Sequence, residues 1–373
     1  MAGDVQMNIL QVMNGFADRW NANGYAALAL AAAQRDLGHK VICVADPVCR
    51  FTVEARKLDL PVVELTVDTD SVWRYFGIRR RIGDLIRTEA IDVVHCHRGM
   101  MLAAYVRAAR AAGRAVRVVR THGEDRLPRS HWLARREVRR LDGVITTTEA
   151  MRGVYLEQFG LAPERVRTIY GSVSQPVAAA AAAGAPPPGG APDLVLGFIG
   201  RPSMVKGHAV AVAALGRVIR GSTRRVVLRF AGRVPDPLRA VLEGTMRDHG
   251  VPADRVDFAG YVHDIPAFIR GVDIGVIPSV RSEMICRVLM EFTAFGRPVA
   301  GSTVNAVGEV ITQFGLGLAS PPGDAEALAQ NILRLVDDWV LFDRCAEKSR
   351  AAYAGTFTPE QCARATLDFY AGR

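Results

Sequence analysis

Residues 272–302, VDIGVIPSVRSEMICRVLMEFTAFGRPVAGS, decide the fold. The β-branched run VDIGVIP stops at Pro278, a helical stretch follows, and the apolar run VAGS resumes after Pro298. Ser282 reads as a helix cap, Ile285, Val288, Leu289 and Phe292 recur at helical spacing, and Gly296 with Pro298 closes the element. Strand, helix and strand in this order specify a parallel pair covered by its crossover helix. Two acids bracket that helix, Glu283 at its mouth and Glu291 at the edge of the apolar stripe. If the span is one helix, their eight-residue separation sets the carboxylates roughly 12 Å apart along its axis, too far for an acid and base pair. Two acids so placed suit the two ends of one long ligand. The plainer account is a Glu favoured by the helix dipole and a second, solvated Glu, and the stretch alone does not choose between them.

Outward from this stretch the same alternation fills the chain. MNILQV, a helix over 24–37, KVICVA, VVEL, a helix over 71–88, IDVVH, a helix from 99, AVRVVRTH and GVITTT build one doubly wound α/β domain. Residues 174–193, SQPVAAAAAAGAPPPGGAPD, have no periodic apolar face and read as a linker. LVLGFIG, a helix from 207, VVLRFAG, a helix near 235–249 and VDFAG then lead into the quoted unit. The expected organisation is a first domain over 1–173, the linker, a second domain over 194–357, and a helix over 358–373 crossing back to the first domain. The fold class is therefore two Rossmann-like domains facing across a cleft, with ligands at the C-terminal ends of the strands.

Composition narrows the function. A chain of 373 residues, 49% hydrophobic, supports two real cores and excludes disordered and fibrous classes. The formal charge of +9 asks for an acidic partner: nucleic acid, an anionic membrane or a phosphorylated substrate. No RRM, KH or helix-turn-helix signature supports nucleic acid. The six cysteines form no CxxC pair and no metal-like cluster with histidine, so they read as buried hydrophobes in a reducing cytoplasm. Asp4 precedes a short apolar run without a basic n-region, and no run of about 20 apolar residues occurs, so neither secretion nor membrane spanning is expected.

Several sites carry chemistry. Strand LVLGFIG ends in GRPSMVKGH, where Gly200, Arg201, Lys206 and Gly207 occupy a strand-to-helix turn suited to phosphate. Of 47 basic residues only Lys40, Lys57, Lys206 and Lys348 are lysine, which singles out Lys206 from the arginine-rich background. In GSTVNAVGEV, backbone amides near Asn305 suit a second anionic group, though an ordinary helix start fits as well. His122, after a strand and before Gly123, is placed to orient substrate or donate a hydrogen bond near neutral pH. His95 and His97 are expected to face opposite ways and to be structural. Asp68, Thr69 and Asp70 resemble a metal-binding DxD but read as a helix cap. Residues 71–88 interleave Trp73, Tyr75 and Phe76 with Arg74, Arg79, Arg80 and Arg81. This helix suits an anionic membrane surface, while the plainer account buries the aromatics and leaves the arginines in water.

In this order and spacing, Gly24 with LGHKVICV, DVVHCH at 92–97, THG at 121–123, FIGRPSMVKGH at 198–208, RVDFAGYV at 255–262 and the 272–302 unit resemble a family 4 glycosyltransferase of the GT-B fold. The resemblance implies a retaining, metal-independent enzyme with no permanently bound cofactor, moving a sugar from a nucleoside diphosphate to a saccharide or lipid-linked acceptor. Synthesis of lipopolysaccharide or another cell-envelope glycan, at the cytoplasmic face of the membrane, is the expected setting. Arg201 and Lys206 would neutralise the donor diphosphate, Glu291 would bind the ribose hydroxyls and Glu283 the donor sugar. Gly200, Tyr261, Val262, Asn305, Ala306 and Val307 would also border the donor. His122 would sit near the sugar, and Asn14, Gly15 and Gly24 on the acceptor side. Met284 follows Glu283 where the family carries glycine.

Other readings stay open: a nucleotide-sugar epimerase or phosphorylase of the same architecture, which needs no added acceptor, and a non-catalytic sugar- or anion-binding protein.

Overall fold

The computed structural model describes residues 5–13, 22–66, 72–128, 131–184, 193–281 and 283–373. The chain forms two compact units, Met1–Ser174 with Pro359–Arg373, and Gln175–Thr358. Asn14, Gly15, Asp68, Thr69, Asp70 and Ser282 lie outside the described residues.

The first unit is a seven-stranded parallel sheet of β1 (Asn8–Met13), β2 (Lys40–Ala45), β3 (Val62–Glu64), β4 (Val93–Cys96), β5 (Arg117–His122), β6 (Gly143–Thr146) and β7 (Val166–Thr168). Its order is β3-β2-β1-β4-β5-β6-β7. Helices α1 (Ala22–Asp36), α2 (Arg50–Lys57), α3 (Val72–Thr88), α4 (Leu102–Arg110), α5 (Trp132–Arg139) and α6 (Glu149–Glu157) connect the strands. Strands β4 and β6 are buried throughout, as strands covered on both faces must be.

The second unit holds α7 (Gln175–Ala182), β8 (Asp193–Ile199), α8 (His208–Gly221), β9 (Arg225–Ala231), α9 (Asp236–His249), β10 (Val256–Phe258), α10 (Ile265–Arg270) and β11 (Ile274–Ile277). It continues through α11 (Arg287–Ala294), β12 (Val299–Ser302), α12 (Asn305–Phe314), β13 (Gly317–Ser320), α13 (Ala325–Asp337) and α14 (Trp339–Ala352). Its parallel sheet runs β10-β9-β8-β11-β12-β13. In both sheets the order reverses once, between β1 and β4 and between β8 and β11, and such reversals open the loops where α/β folds bind ligands.

One boundary differs from expectation. Gln175–Ala182, read as linker, is a helix: alanine has the highest helix propensity, buried Val177 anchors the element, and Arg270 donates to the Ala180 carbonyl at 2.7 Å. The last helix, α15 (Pro359–Ala371), belongs to the first unit. There the Phe369 ring fills the space a side chain at Gly143 would take, only 2.6 Å from an added Cβ.

Candidate functional site

At the reversal in the second sheet, glycines let two loops meet. Gly207, ahead of α8, has φ 74°, and a Cβ there would lie 2.0 Å from the Pro278 carbonyl oxygen. Gly232, after β9, has φ 142°, and its Cβ would lie 2.1 Å from the Gly200 carbonyl oxygen. The loops after β8 and β11 are then tied together by Val280 N–H donating to Val205 O at 2.8 Å.

This contact brings Lys206 onto Glu283, an ion pair between the two loops. Ser279 Oγ donates to the same Glu283 oxygen at 2.6 Å, and Glu283 is buried. Ser302, at the end of β12, holds Ser279 by donating to its carbonyl at 2.6 Å. Arg201 is exposed on the β8 loop, and among the described residues no side chain caps the first turn of α8. One sheet edge therefore presents Lys206, Arg201 and the positive end of a fourteen-residue helix.

The acids are arranged otherwise than the sequence suggests. Helix α11 begins at Arg287, so Glu283 stands on the preceding loop and the single-helix separation does not apply. Residues 283–286 instead follow the β11 loop, where Glu283 is drawn to Lys206 and its carbonyl accepts from Ala306 N–H at 2.9 Å. Glu291 is buried at 2% exposure rather than at a stripe edge. Its Oε1 meets Arg287 Nε at 3.2 Å, while Oε2 is buried without a hydrogen-bond partner among the described residues. Burial pushes the Glu291 carboxyl above its ordinary value, with Arg287 opposing. A carboxyl raised in the folded state adds stability below its unfolded pKa and forfeits it as pH rises through the folded value. At neutral pH the Glu291 charge therefore costs stability. Glu291→Gln is expected to stabilise the ligand-free chain by on the order of 1 kcal/mol, roughly 2–4 °C in Tm, at pH 7–8, with the advantage shrinking toward pH 5; melting across pH checks this.

The α12 start does not offer the amides expected of it. Ala306 N–H is taken by Glu283 O and Val307 N–H by Val304 O, so the loop before α11 and the turn into α12 have claimed the donors. Asn305, left-handed at φ 40°, donates from Nδ2 to Met284 Sδ at 2.9 Å. Tyr261 is exposed beside His263 after β10, and Val262 is half-buried. Sequence reasoning gave no role to Ser279 or His208. His208 is buried in the first turn of α8, its ring 4.3 Å from that of Phe198, and its Nδ1 has no partner among the described residues. Burial lowers its pKa to about 4, so it is neutral at pH 7. Its position directly after Gly207 was the available signal.

In the first unit His122 is corrected. It is fully buried, Nδ1 pairing with Tyr155 OH at 2.7 Å and Nε2 facing the Glu124 and Arg126 carbonyls at 3.1 and 3.2 Å. Both nitrogens are engaged, and burial lowers its pKa to about 3, so it neither titrates near neutral pH nor has a donor to spare. His95 and His97 share a face, as residues two apart on a strand do, with ring centroids 4.3 Å apart. They are structural: His97 pairs with Gln11 at 2.7 Å, and His95 with Thr121 at 2.7 Å and Tyr370 at 2.5 Å. The aromatics of α3 are not core: Trp73 is 86% and Phe76 52% exposed. Gly24 is buried in the first turn of α1. All six cysteines are free and buried, and no group of three metal-binding side chains occurs among the described residues.

Residues 24–174 match the family model for Glycosyltransferase Family 4, and residues 193–338 that for Glycosyl transferases group 1. The chain belongs to the family 4 glycosyltransferases of the GT-B fold. It is 31% identical over 214 residues to 2-deoxystreptamine glucosyltransferase of Streptomyces kanamyceticus, covering 54% of this chain and 53% of that one. It is 29% identical over 173 residues to the lipopolysaccharide core biosynthesis glycosyltransferase LpsE of Rhizobium meliloti, covering 44% and 51%. The chain thus spans about half the length of these curated relatives. The structure of Anabaena Alr3699/HepE in complex with UDP superposes with a TM-score of 0.78 at 17% identity, covering 98% of this chain and all of that one.

Proposed function

We propose that the chain transfers a sugar from a nucleoside diphosphate to a saccharide or lipid-linked acceptor, with retention and without a metal. The observation that carries this reading is the unpartnered, buried Oε2 of Glu291 in the unit that also presents Lys206 and Arg201. A buried carboxylate oxygen asks for a hydroxyl donor, which a ribose supplies, while the cations and the α8 dipole ask for a diphosphate. In the reaction an acceptor hydroxyl bonds to the sugar carbon as the phosphate–sugar bond breaks, the hydroxyl proton passes to the departing diphosphate, and charge builds on that diphosphate. Lys206, Arg201 and the α8 amides are placed to stabilise it in advance. Lys206, now paired with Glu283, exchanges that partner for the incoming phosphate, and Glu283 turns to the donor sugar. The UDP bound by HepE supports a nucleotide donor, and the likeness to LpsE supports an envelope glycan as acceptor. Exposed Trp73 and Phe76 among the α3 arginines support apposition to an anionic membrane at its cytoplasmic face. No helix among the described residues is long and apolar enough to cross a membrane.

The test is thermal shift with UDP, GDP, ADP and their sugars. The matching ligand at 100 times its Kd stabilises by about 2.7 kcal/mol, and that shift is lost in Glu291→Ala. If no nucleotide raises Tm, the reading fails. Conversion of the donor without acceptor assigns the epimerase chemistry instead, and product anomers read by NMR decide retention.

A further inference from the structure

At the N-terminal edge of the first sheet lies a cavity of about 820 Å³, of the size small-molecule sites occupy. Arginines from helices, from strand β5 and from the turn before β7 converge on it, against one acid in its wall, Asp142, among the described residues. Asp142 is spent on Arg110 at 2.7 Å, and Glu137, behind the wall, serves Arg140 and Arg107 at 3.5 and 4.0 Å.

The remaining four have no counter-charge among the described residues. Arg117, Arg139 and Arg165 donate to the backbone carbonyls of Tyr370, Phe159 and Arg139 at 2.8, 2.9 and 2.7 Å. Arg79 has no hydrogen bond or ion pair among the described residues. Capping of helix ends accounts for arginines at the C-termini of α4 and α5, and for Arg165, which reaches the last carbonyls of α5. It accounts as well for Arg117, at the start of β5, which reaches the Tyr370 carbonyl in the last turn of α15, but not for Arg79, midway along α3. Gathering like charges around a cavity opposes folding, and an anionic occupant removes that penalty. Guanidinium groups match phosphate oxygens two at a time, and several of them need several phosphates.

We propose that this pocket is an anion site, distinct from the Lys206 loop, for a ligand carrying two or more clustered phosphates. The same chemistry is offered by a soluble polyphosphorylated metabolite and by several phosphomonoester lipid headgroups gathered at a membrane surface.

The test titrates the full-length chain with tripolyphosphate by calorimetry, and floats it with phosphatidylcholine vesicles with and without phosphatidic acid. Wild type is expected to bind tripolyphosphate, and Arg79→Glu to bind it about tenfold or more weaker, the loss of one charged hydrogen-bonding partner. Arg79→Ala, which removes an unpartnered side chain without reversing its charge, is the companion if the Glu variant folds poorly. Arg201→Ala/Lys206→Ala is expected to retain the binding, which separates this pocket from the donor loop. Flotation with phosphatidic acid that tripolyphosphate competes away identifies the lipid source; tripolyphosphate binding without flotation identifies the soluble one. Absence of binding by either probe, equal affinity in the Arg79 variants, or loss in the Arg201/Lys206 variant would overturn the proposal.

Discussion

Lys206→Ala is expected to lower kcat/KM for the nucleotide sugar by about 10²–10³, the scale at which one preorganised electrostatic contact to developing charge contributes. Lys206 faces Glu283 in the ligand-free chain, so removing it has two effects that must be separated. Glu283 is left buried with the Ser279 hydroxyl but without its cation, and an unpaired buried carboxylate is strongly destabilising. Tm therefore falls together with activity. Lys206→Ala/Glu283→Gln removes the stranded charge and is expected to recover Tm while turnover stays low, an interaction that the four-member mutant cycle isolates. Recovery of turnover along with Tm would show that the lysine matters only structurally. Unchanged kcat/KM in Lys206→Ala would remove it from the donor site.

Gly207→Ala is expected to lower the stability of the second unit by roughly 3–5 kcal/mol, which at roughly 2–4 °C per kcal/mol is among the largest shifts a single methyl produces. About 1–2 kcal/mol comes from forcing alanine into the left-handed region at φ 74°. The rest comes from the Pro278 carbonyl oxygen 2.0 Å from the new Cβ, which is backbone and can yield only by parting the β8 and β11 loops. Gly250, at the end of α9, is the control: its φ is 66° but nothing lies within 4 Å of an added Cβ. Gly250→Ala should therefore cost only the backbone term. Thermal melting of the pair measures the difference, and equal losses would mean that the loop contact at Gly207 is unimportant.

Much of the site was legible before the fold was known. Glycines flanking a cation at a strand-to-helix turn announce close backbone approach, which Gly207 makes to the Pro278 carbonyl, and the rarity of lysine marked Lys206. Glu291 was legible as an acid out of place among Val288, Leu289 and Phe292, but not that one oxygen would be paired and the other bare. His122 misled because a polar residue at a strand's C-terminal end reads alike whether it faces solvent or a buried tyrosine hydroxyl. The aromatics of α3 misled the other way, since a helix wheel shows an apolar face without showing whether anything covers it.

The sequence by itself determined the alternation of strands and helices, the parallel sheets that follow from it, the division into two units and the loop that carries Lys206. Those are consequences of local periodicity and of which residues permit a turn, so short windows of sequence hold the information. Only the tertiary structure decided that helix α11 starts after Glu283, that Lys206 and Glu283 pair across a separation of 77 residues, and that Ala306 and Val307 have no amides to spare. It also gathered the arginines of one sheet edge around a cavity. The physical reason is common to these cases: whether a charge or an amide is free depends on the partner it meets, and partners distant in sequence are chosen by packing.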